Sequence, residues 1–352
     1  MKYYLISLNG YGELFRKRIN NRALFNYARK DNFNTISSSG RWGYCCLEKT
    51  LEKAYYCLFD EEKGFPGEAY IRGWKEISET SVKGKTFFIC HFMAQTEGVV
   101  IETDVSITEK EMIELLRELS EGEKKFRFFI KDNVPFLVFQ KDLPGEEVLF
   151  PGNMKGKKFA LYLYKKLELE DIKNLIVTST SILEKHPVNK VRQDLGEMQA
   201  NLLWLWGMGK PQQPKDITET LKKECLYLSF EEKTLPLAEF FGFRRTEDIK
   251  EAQDNSFIWI NSSVNIKTNY SVWVKGLERF DIEVLSVIAE EYKEGRCRVL
   301  FIFDGFVSPD IEVKNCWVPF LYISENNGII RFRKRFKDSK RLLNLLLGVS
   351  EF

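Results

Sequence analysis

The sequence predicts an α/β protein, a doubly wound core with a compact α+β unit inserted into it. Three observations carry that expectation. Short, almost wholly apolar runs at Tyr3–Leu8, Phe257–Ile260, Arg298–Phe303 and Val318–Ile323 have the character of strands buried on both faces, as parallel strands are. From Leu277 to Tyr292, apolar residues recur at helical spacing (Leu277, Phe280, Val284, Leu285, Val287, Ile288), the stripe of a helix packed on such a sheet. Between Lys85 and Gln140 the pattern changes to strand, strand, helix, strand, strand, which suggests a separate α+β layer. At 352 residues the chain is too long for one ordinary core. The expected division is a core from residues 1–60 and 175–352, with a lid-like domain from 61–174 inserted.

Each element has its own local reason. Tyr3–Leu8 ends in Asn9-Gly10-Tyr11-Gly12, a turn at a strand's carboxyl end, where open α/β sheets place ligands. Lys85–Met93 and Gly98–Glu102 pair naturally across a short turn. Thr108-Glu109-Lys110-Glu111 is a capping box opening a helix to Leu119. Lys125–Ile130 and Val134–Gln140 read as a second strand pair, with His91 a core or edge residue of the first. Lys141–Lys158, rich in Gly, Pro and charge, reads as a loop, and Lys190–Leu203 as a helix.

Composition excludes several classes. Lys plus Arg number 53 against 51 Asp plus Glu, so overall charge points to neither nucleic acid nor membrane. The basic run from Gly328 to Phe352 reads as a solvated strand and helix face, or as a contact for an anionic partner. No apolar run approaches the roughly 18 residues of a membrane span, and the N-terminal apolar run is too short for a signal peptide. The seven cysteines show no CxxC pair and no disulfide framework, which suggests a reducing cytoplasm. Only two histidines occur, His91 and His186, so no His-rich metal site can be assembled.

One segment stands out: His186-Pro187-Val188-Asn189, Arg192, Gly196, Ala200-Asn201 and Trp204-Leu205-Trp206-Gly207-Met208-Gly209-Lys210-Pro211. It resembles the signature of the archaeal-type, cofactor-independent phosphoglycerate mutases of the alkaline phosphatase superfamily, a group that includes proposed homoserine kinases. Asn21-Arg22-Ala23-Leu24, Asn26-Tyr27-Ala28, Ser39-Gly40-Arg41-Trp42-Gly43 and Gly64-Phe65-Pro66-Gly67-Glu68-Ala69 follow the family's motifs in order and spacing. The resemblance implies an alkaline-phosphatase-like core and a two-metal site built from Asp, His and a Ser nucleophile. Position by position, that site is degenerate here. The Asp-Gly ending the first strand is Asn9-Gly10, and the nucleophile position falls near Lys49, with no Pro-Gly-Ser. The later His, Asp and His fall near Ile260, Asn265 and Asn269. An Asp-His pair becomes Asp304-Gly305, and a last His falls near Val313. Only Asp304 survives.

The consequence is chemical. Two divalent ions clamp a phosphoryl group and neutralise its developing charge, and several carboxylates are needed to hold them. Phosphate-ester cleavage is among the slowest uncatalysed reactions, and each tenfold of rate needs about 1.4 kcal/mol. Positioning alone supplies at best about 7–11 kcal/mol. The expectation is therefore no metal pair, no cofactor and no mutase chemistry: a pseudoenzyme that binds an unidentified protein partner or a small phosphorylated or anionic ligand. The alternatives are an active phosphotransfer enzyme with a displaced site, and cysteine chemistry at Cys45-Cys46. The candidate ligand-binding residues are His186, Arg192, Asn201 and Asp304. His186 reads as a base or as a hydrogen-bonded residue at a domain junction. Arg192 and Asn201 read as an anion clamp or as ties holding their helix to the core. Asp304 reads as a lone-cation ligand or as a turn or helix cap. Lys49 reads as a solvated lysine or a mimic of the missing cation.

Overall fold

The computed structural model describes residues 1–12, 18–48, 50–60, 64–78, 83–145, 148, 150–213, 215–229, 236–263, 270–304, 317–324 and 334–349. In chain order it contains β1 (Lys2–Asn9), β2 (Arg18–Ile19), β3 (Arg22–Ala23), α1 (Asp31–Ser37), β4 (Arg41–Cys46) and α2 (Leu51–Phe59). Next come α3 (Glu68–Ser78), β5 (Thr86–Thr96), β6 (Val99–Glu102), α4 (Glu109–Ser120), β7 (Phe126–Lys131), β8 (Val134–Phe139), α5 (Phe159–Lys166), α6 (Glu170–Leu183), α7 (Pro187–Asp194) and β9 (Leu202–Gly209). The chain closes with α8 (Ile217–Leu221), β10 (Cys225–Ser229), α9 (Pro236–Phe240), β11 (Arg244–Arg245), β12 (Phe257–Ser263), α10 (Tyr270–Phe280), α11 (Ser286–Lys293), β13 (Cys297–Phe303), β14 (Trp317–Ile323), β15 (Lys334–Phe336) and α12 (Lys340–Leu347).

These form two compact units, Met1–Phe65 with Pro214–Phe352, and Pro66–Gln213. The second unit therefore runs to Gln213, where the sequence had suggested 174. The reason is β9, which pairs antiparallel with β5 along most of its length (Cys90 opposite Leu205, His91 opposite Trp204). A strand buried at Leu202–Trp206 belongs with the sheet that completes its hydrogen bonds.

The first unit is built on one eight-stranded sheet, ordered β11-β10-β12-β1-β13-β14-β4-β15. Strands from both ends of the chain thus share one sheet. β1 lies parallel between β12 and β13, and all three are apolar enough to be covered on both faces. β14 departs from the expected parallel pattern and is antiparallel to both β13 and β4. Its apolar run reports burial, and burial does not fix direction. The helical stripe is observed as α10 and α11 joined by a π-helical turn, Asp281–Leu285. The buried Asp281 carboxylate there accepts the backbone N–H groups of Asn32 and Phe33 (3.0 and 2.7 Å) and caps α1. In α12, Leu342, Leu343, Leu345 and Leu346 are buried while Arg341 faces out, a solvated basic face.

Strand parity sets what each face carries. Tyr4, Ile6 and Leu8 of β1 point into one core with Phe301, Phe303 and Trp273. Leu5, Ser7 and Asn9 point to the other face, in register with Trp259, Asn261 and Ser263 of β12. There α2 packs Tyr55 and Phe59 on Trp259, with ring centroids 5.3 and 5.2 Å apart.

The second unit is a five-stranded sheet ordered β6-β5-β8-β7, with β9 also paired to β5. The capping box at Thr108 is formed: the Thr108 Oγ1 accepts the Glu111 N–H, and Glu111 accepts the Thr108 N–H at 2.7 Å. α7 stops at Asp194, so the helix expected through Leu203 is shorter. Gly207-Met208-Gly209 lies in β9, beside a register irregularity. Its glycines permit close packing: a Cβ on Gly209 would lie 2.6 Å from the Tyr70 nitrogen.

Candidate functional site

The carboxyl ends of β1, β12 and β13 and the inner face of α2 bring together a buried polar cluster. Its geometry follows a chain of donors. Trp259 Nε1–H donates to Ser7 Oγ at 3.0 Å. Ser7 Oγ donates onward to Asn261 Oδ1 at 2.9 Å, and Asn9 Nδ2 donates to the same oxygen at 2.7 Å. That leaves Asn9 Oδ1 buried without a hydrogen-bond partner, an arrangement that costs about 1–3 kcal/mol. The Tyr11 and Ser262 hydroxyls are 3.2 Å apart.

Asp304, directly after β13, is wholly buried. Its Oδ2 accepts the Tyr55 hydroxyl at 2.7 Å, and its Oδ1 accepts the Gly10 N–H at 3.2 Å. Its backbone carbonyl accepts the Gly12 N–H at 2.8 Å and so fixes the turn after β1. The carboxylate thus has the capping function that the sequence allowed. Burial, then the Asp304 charge and the hydrogen bond to it, hold the Tyr55 phenol well above its ordinary pKa, so it remains a proton donor.

Of the other expected positions, Ile260 is a core residue of β12. Lys49, Asn265, Asn269, Gly305 and Val313 lie outside the described residues. The polar side chains described at this site are two amides, four hydroxyls and one carboxylate that accepts from an N–H and an O–H group. Such a set does not fit a pair of divalent cations, which needs several anionic oxygens. Among the described residues, no three His, Cys, Asp or Glu side chains are grouped to hold a metal. Sequence reasoning missed Ser7, Tyr55 and Asn261. A polar residue at the same parity in two adjacent apolar strands was the available signal for Ser7 and Asn261. Tyr55 gave none, since it sits in an ordinary amphipathic helix.

His186, Arg192 and Asn201 lie elsewhere, in the second unit. His186 caps α7: its Nδ1 accepts the Val188 N–H at 3.1 Å, and Nε2 lies 2.9 Å from Glu118. Pro187 follows at the first helical position, where its missing N–H costs nothing. Arg192 is buried; its guanidinium donates to the carbonyls of Met198 (2.8 Å) and Ser106 (2.9 Å) and to Glu111 (2.8 Å). Asn201 clasps the Gln95 backbone, accepting its N–H at 2.8 Å and donating to its carbonyl at 3.0 Å. Asn189 does the same for Ala200 (2.7 and 3.0 Å) and adds a bond to the Leu183 carbonyl. The signature segment is therefore an internal clasp of its own unit. His91, 3.7 Å from Asp104, is half-buried in β5.

Among the described residues, six cysteines stand outside any disulfide. Cys45 is buried in β4, and burial pushes the Cys90 thiol well up and the Cys225 thiol up to about 12. No helix among the described residues is long and apolar enough to cross a membrane.

A parallel central sheet with its polar cluster at the strand carboxyl ends, interrupted in sequence by an α+β unit, defines an alkaline-phosphatase-like α/β protein. Two solved structures share this fold. They are PH0037 from Pyrococcus horikoshii (TM-score 0.63, 15% identity, 99% of this chain and 98% of that one) and the cofactor-independent phosphoglycerate mutase of Thermoplasma acidophilum (TM-score 0.55, 16% identity, 100% of each). In sequence the chain is 24% identical over 223 residues to the 2,3-bisphosphoglycerate-independent phosphoglycerate mutase of Methanosarcina mazei, covering 59% of this chain and 55% of that protein. It is also 24% identical over 228 residues to a probable enzyme of that name from Geobacter sulfurreducens, covering 60% and 56%. The chain thus matches little more than half the length of these relatives. No family model matches it. The chain is thus similar, over somewhat more than half its length, to archaeal-type cofactor-independent phosphoglycerate mutases, and it shares their fold.

Proposed function

We propose that this chain is a catalytically degenerate member of the archaeal-type cofactor-independent phosphoglycerate mutase family, a cytoplasmic pseudoenzyme that works by binding a protein partner or a small anionic ligand. The observation that supports this most is the end of β1. Where the family resemblance expects a metal-binding carboxylate, Asn9 stands with its amide bonded to the Asn261 amide. A neutral amide pair offers a divalent cation neither charge nor two free oxygens. Uncompensated by metal or nucleophile, phosphoryl transfer has no route to a useful rate.

The test is direct. Purified protein, supplied with Mn²⁺ and a phosphoglycerate in a coupled mutase assay, should show no turnover above the protein-free rate. It should also retain no stoichiometric manganese, zinc or magnesium by elemental analysis. Turnover, or a metal pair, would replace this reading with that of an active phosphotransfer enzyme whose site is displaced.

A further inference from the structure

We propose that the outward face of α5, with the lysine-rich run leading into it, is a docking surface for an anionic lipid bilayer. The inference goes beyond the proposed function and holds whether or not the chain is catalytic. It starts from an uneven distribution of charge. The whole chain is nearly balanced, yet residues 151–167 hold five lysines (Lys155, Lys157, Lys158, Lys165 and Lys166) and no acid. Lys155 meets Glu102 of β6 at 2.8 Å. Lys157, Lys158 and Lys165 are exposed and form no ion pair with a described residue. Among these lysines stand two apolar side chains in water, Leu161 at 54% and Tyr164 at 69% exposure. Residues three and four apart share one side of a helix, so Leu161, Tyr164 and Lys165 present a single outward face.

That face is held from behind. Leu163 and Leu167 are buried, and the Tyr162 ring lies 5.5 Å from that of Trp204. The lysine run is fastened to β6. The Gly156 N–H donates to the Val100 carbonyl at 2.8 Å, and the Val100 N–H donates to the Lys157 carbonyl at 3.0 Å. A surface fixed in this way loses little conformational freedom on docking. Magnitudes select what docks. The eight residues of α5 span about 12 Å, so their outward side offers on the order of 200 Å². A stable protein interface takes roughly 800 Å² from each partner. A bilayer needs no matching contour. Its anionic headgroups attract each nearby lysine, a gain of roughly fivefold apiece. An outward Leu and Tyr can enter the headgroup layer, where Tyr is favoured. At this length α5 lies on such a surface and does not cross it.

The test is sedimentation of the full chain with vesicles of phosphatidylcholine alone, or of phosphatidylcholine with one-third phosphatidylserine. Binding is expected to the second kind only, and concentrated salt should abolish it by screening. Lys157→Gln with Lys158→Gln should weaken binding by roughly 25-fold, while Lys157→Arg with Lys158→Arg, which keeps the charge, should not. Leu161→Ser with Tyr164→Ser should weaken it by roughly fivefold or more. Removing the same charge from the other unit, by Lys250→Gln with Lys293→Gln, should leave binding unchanged. All of these positions are exposed, so each variant should melt with the wild type. Equal binding to both vesicle types, binding to neither, or equal weakening by the Lys250 and Lys293 substitutions overturns the proposal. So does retention on immobilised poly-glutamate by a protein that ignores the vesicles, which would assign the face to an acidic protein segment. The mutase assay does not read this surface. An inactive protein that fails to bind vesicles therefore sinks this inference and leaves the proposed function standing.

Discussion

Replacing Arg192 by alanine should cost about 2–3 kcal/mol of stability, because it removes a buried guanidinium and leaves two backbone carbonyls and the part-buried Glu111 carboxylate without their donor. Arg192 holds three chain segments at once: Ser106 and Glu111 beside α4, and Met198 after α7. Only a planar fork reaches all three, so Arg192→Lys should recover a minor part of the loss. Urea unfolding of the three proteins measures it, and a difference below about 1 kcal/mol would show that the clasp is not energetically important. The pH dependence has a definite sign. Burial raises the Glu111 pKa, but the bonds from Thr108 and Arg192 outweigh it and hold the carboxyl below its usual value. A depressed carboxylate contributes stability that is present above its unfolded pKa of about 4.3 and lost as pH falls through the folded value. In Arg192→Ala one depressing partner is gone, so the Glu111 contribution should be smaller, and the acid-induced loss should be shallower and end at a higher pH than in the wild type.

Gly67→Ala should be at least as damaging, about 3 kcal/mol or more, through backbone collision. Gly67 has φ +97°, and a Cβ there would lie 1.9 Å from the Met208 carbonyl oxygen and 2.6 Å from the Gly209 Cα. Neither neighbour is a side chain that can turn away. Gly84→Ala is the control: its φ is also positive (+74°), with nothing within 4 Å. That substitution should cost only the left-handed penalty of about 1–2 kcal/mol. Equal losses for the two would show that backbone conformation, and not the approach of α3 to β9, keeps Gly67 a glycine.

The sequence alone determined the strands and helices wherever apolar periodicity was strong: β1, β12 and β13, the α10–α11 stripe, and the four strands and capped helix of β5 to β8. Periodicity is a local property, and burial writes it directly into residue order. It also determined that only two histidines are available to any site. Tertiary structure alone decided the rest. Trp204 and Trp206 in β9 are buried because β5 pairs with that strand, and that pairing spans more than a hundred residues of chain. The antiparallel entry of β14 is equally invisible in an apolar run. So is the role of the His186–Asn201 segment, whose polar residues looked like ligands because unassigned hydrogen-bonding capacity looks alike in sequence whether it meets a substrate or a backbone. Tyr55 is the plainest case. Its meaning depends on a 2.7 Å contact with a residue 249 positions away, and only the folded chain brings the two together.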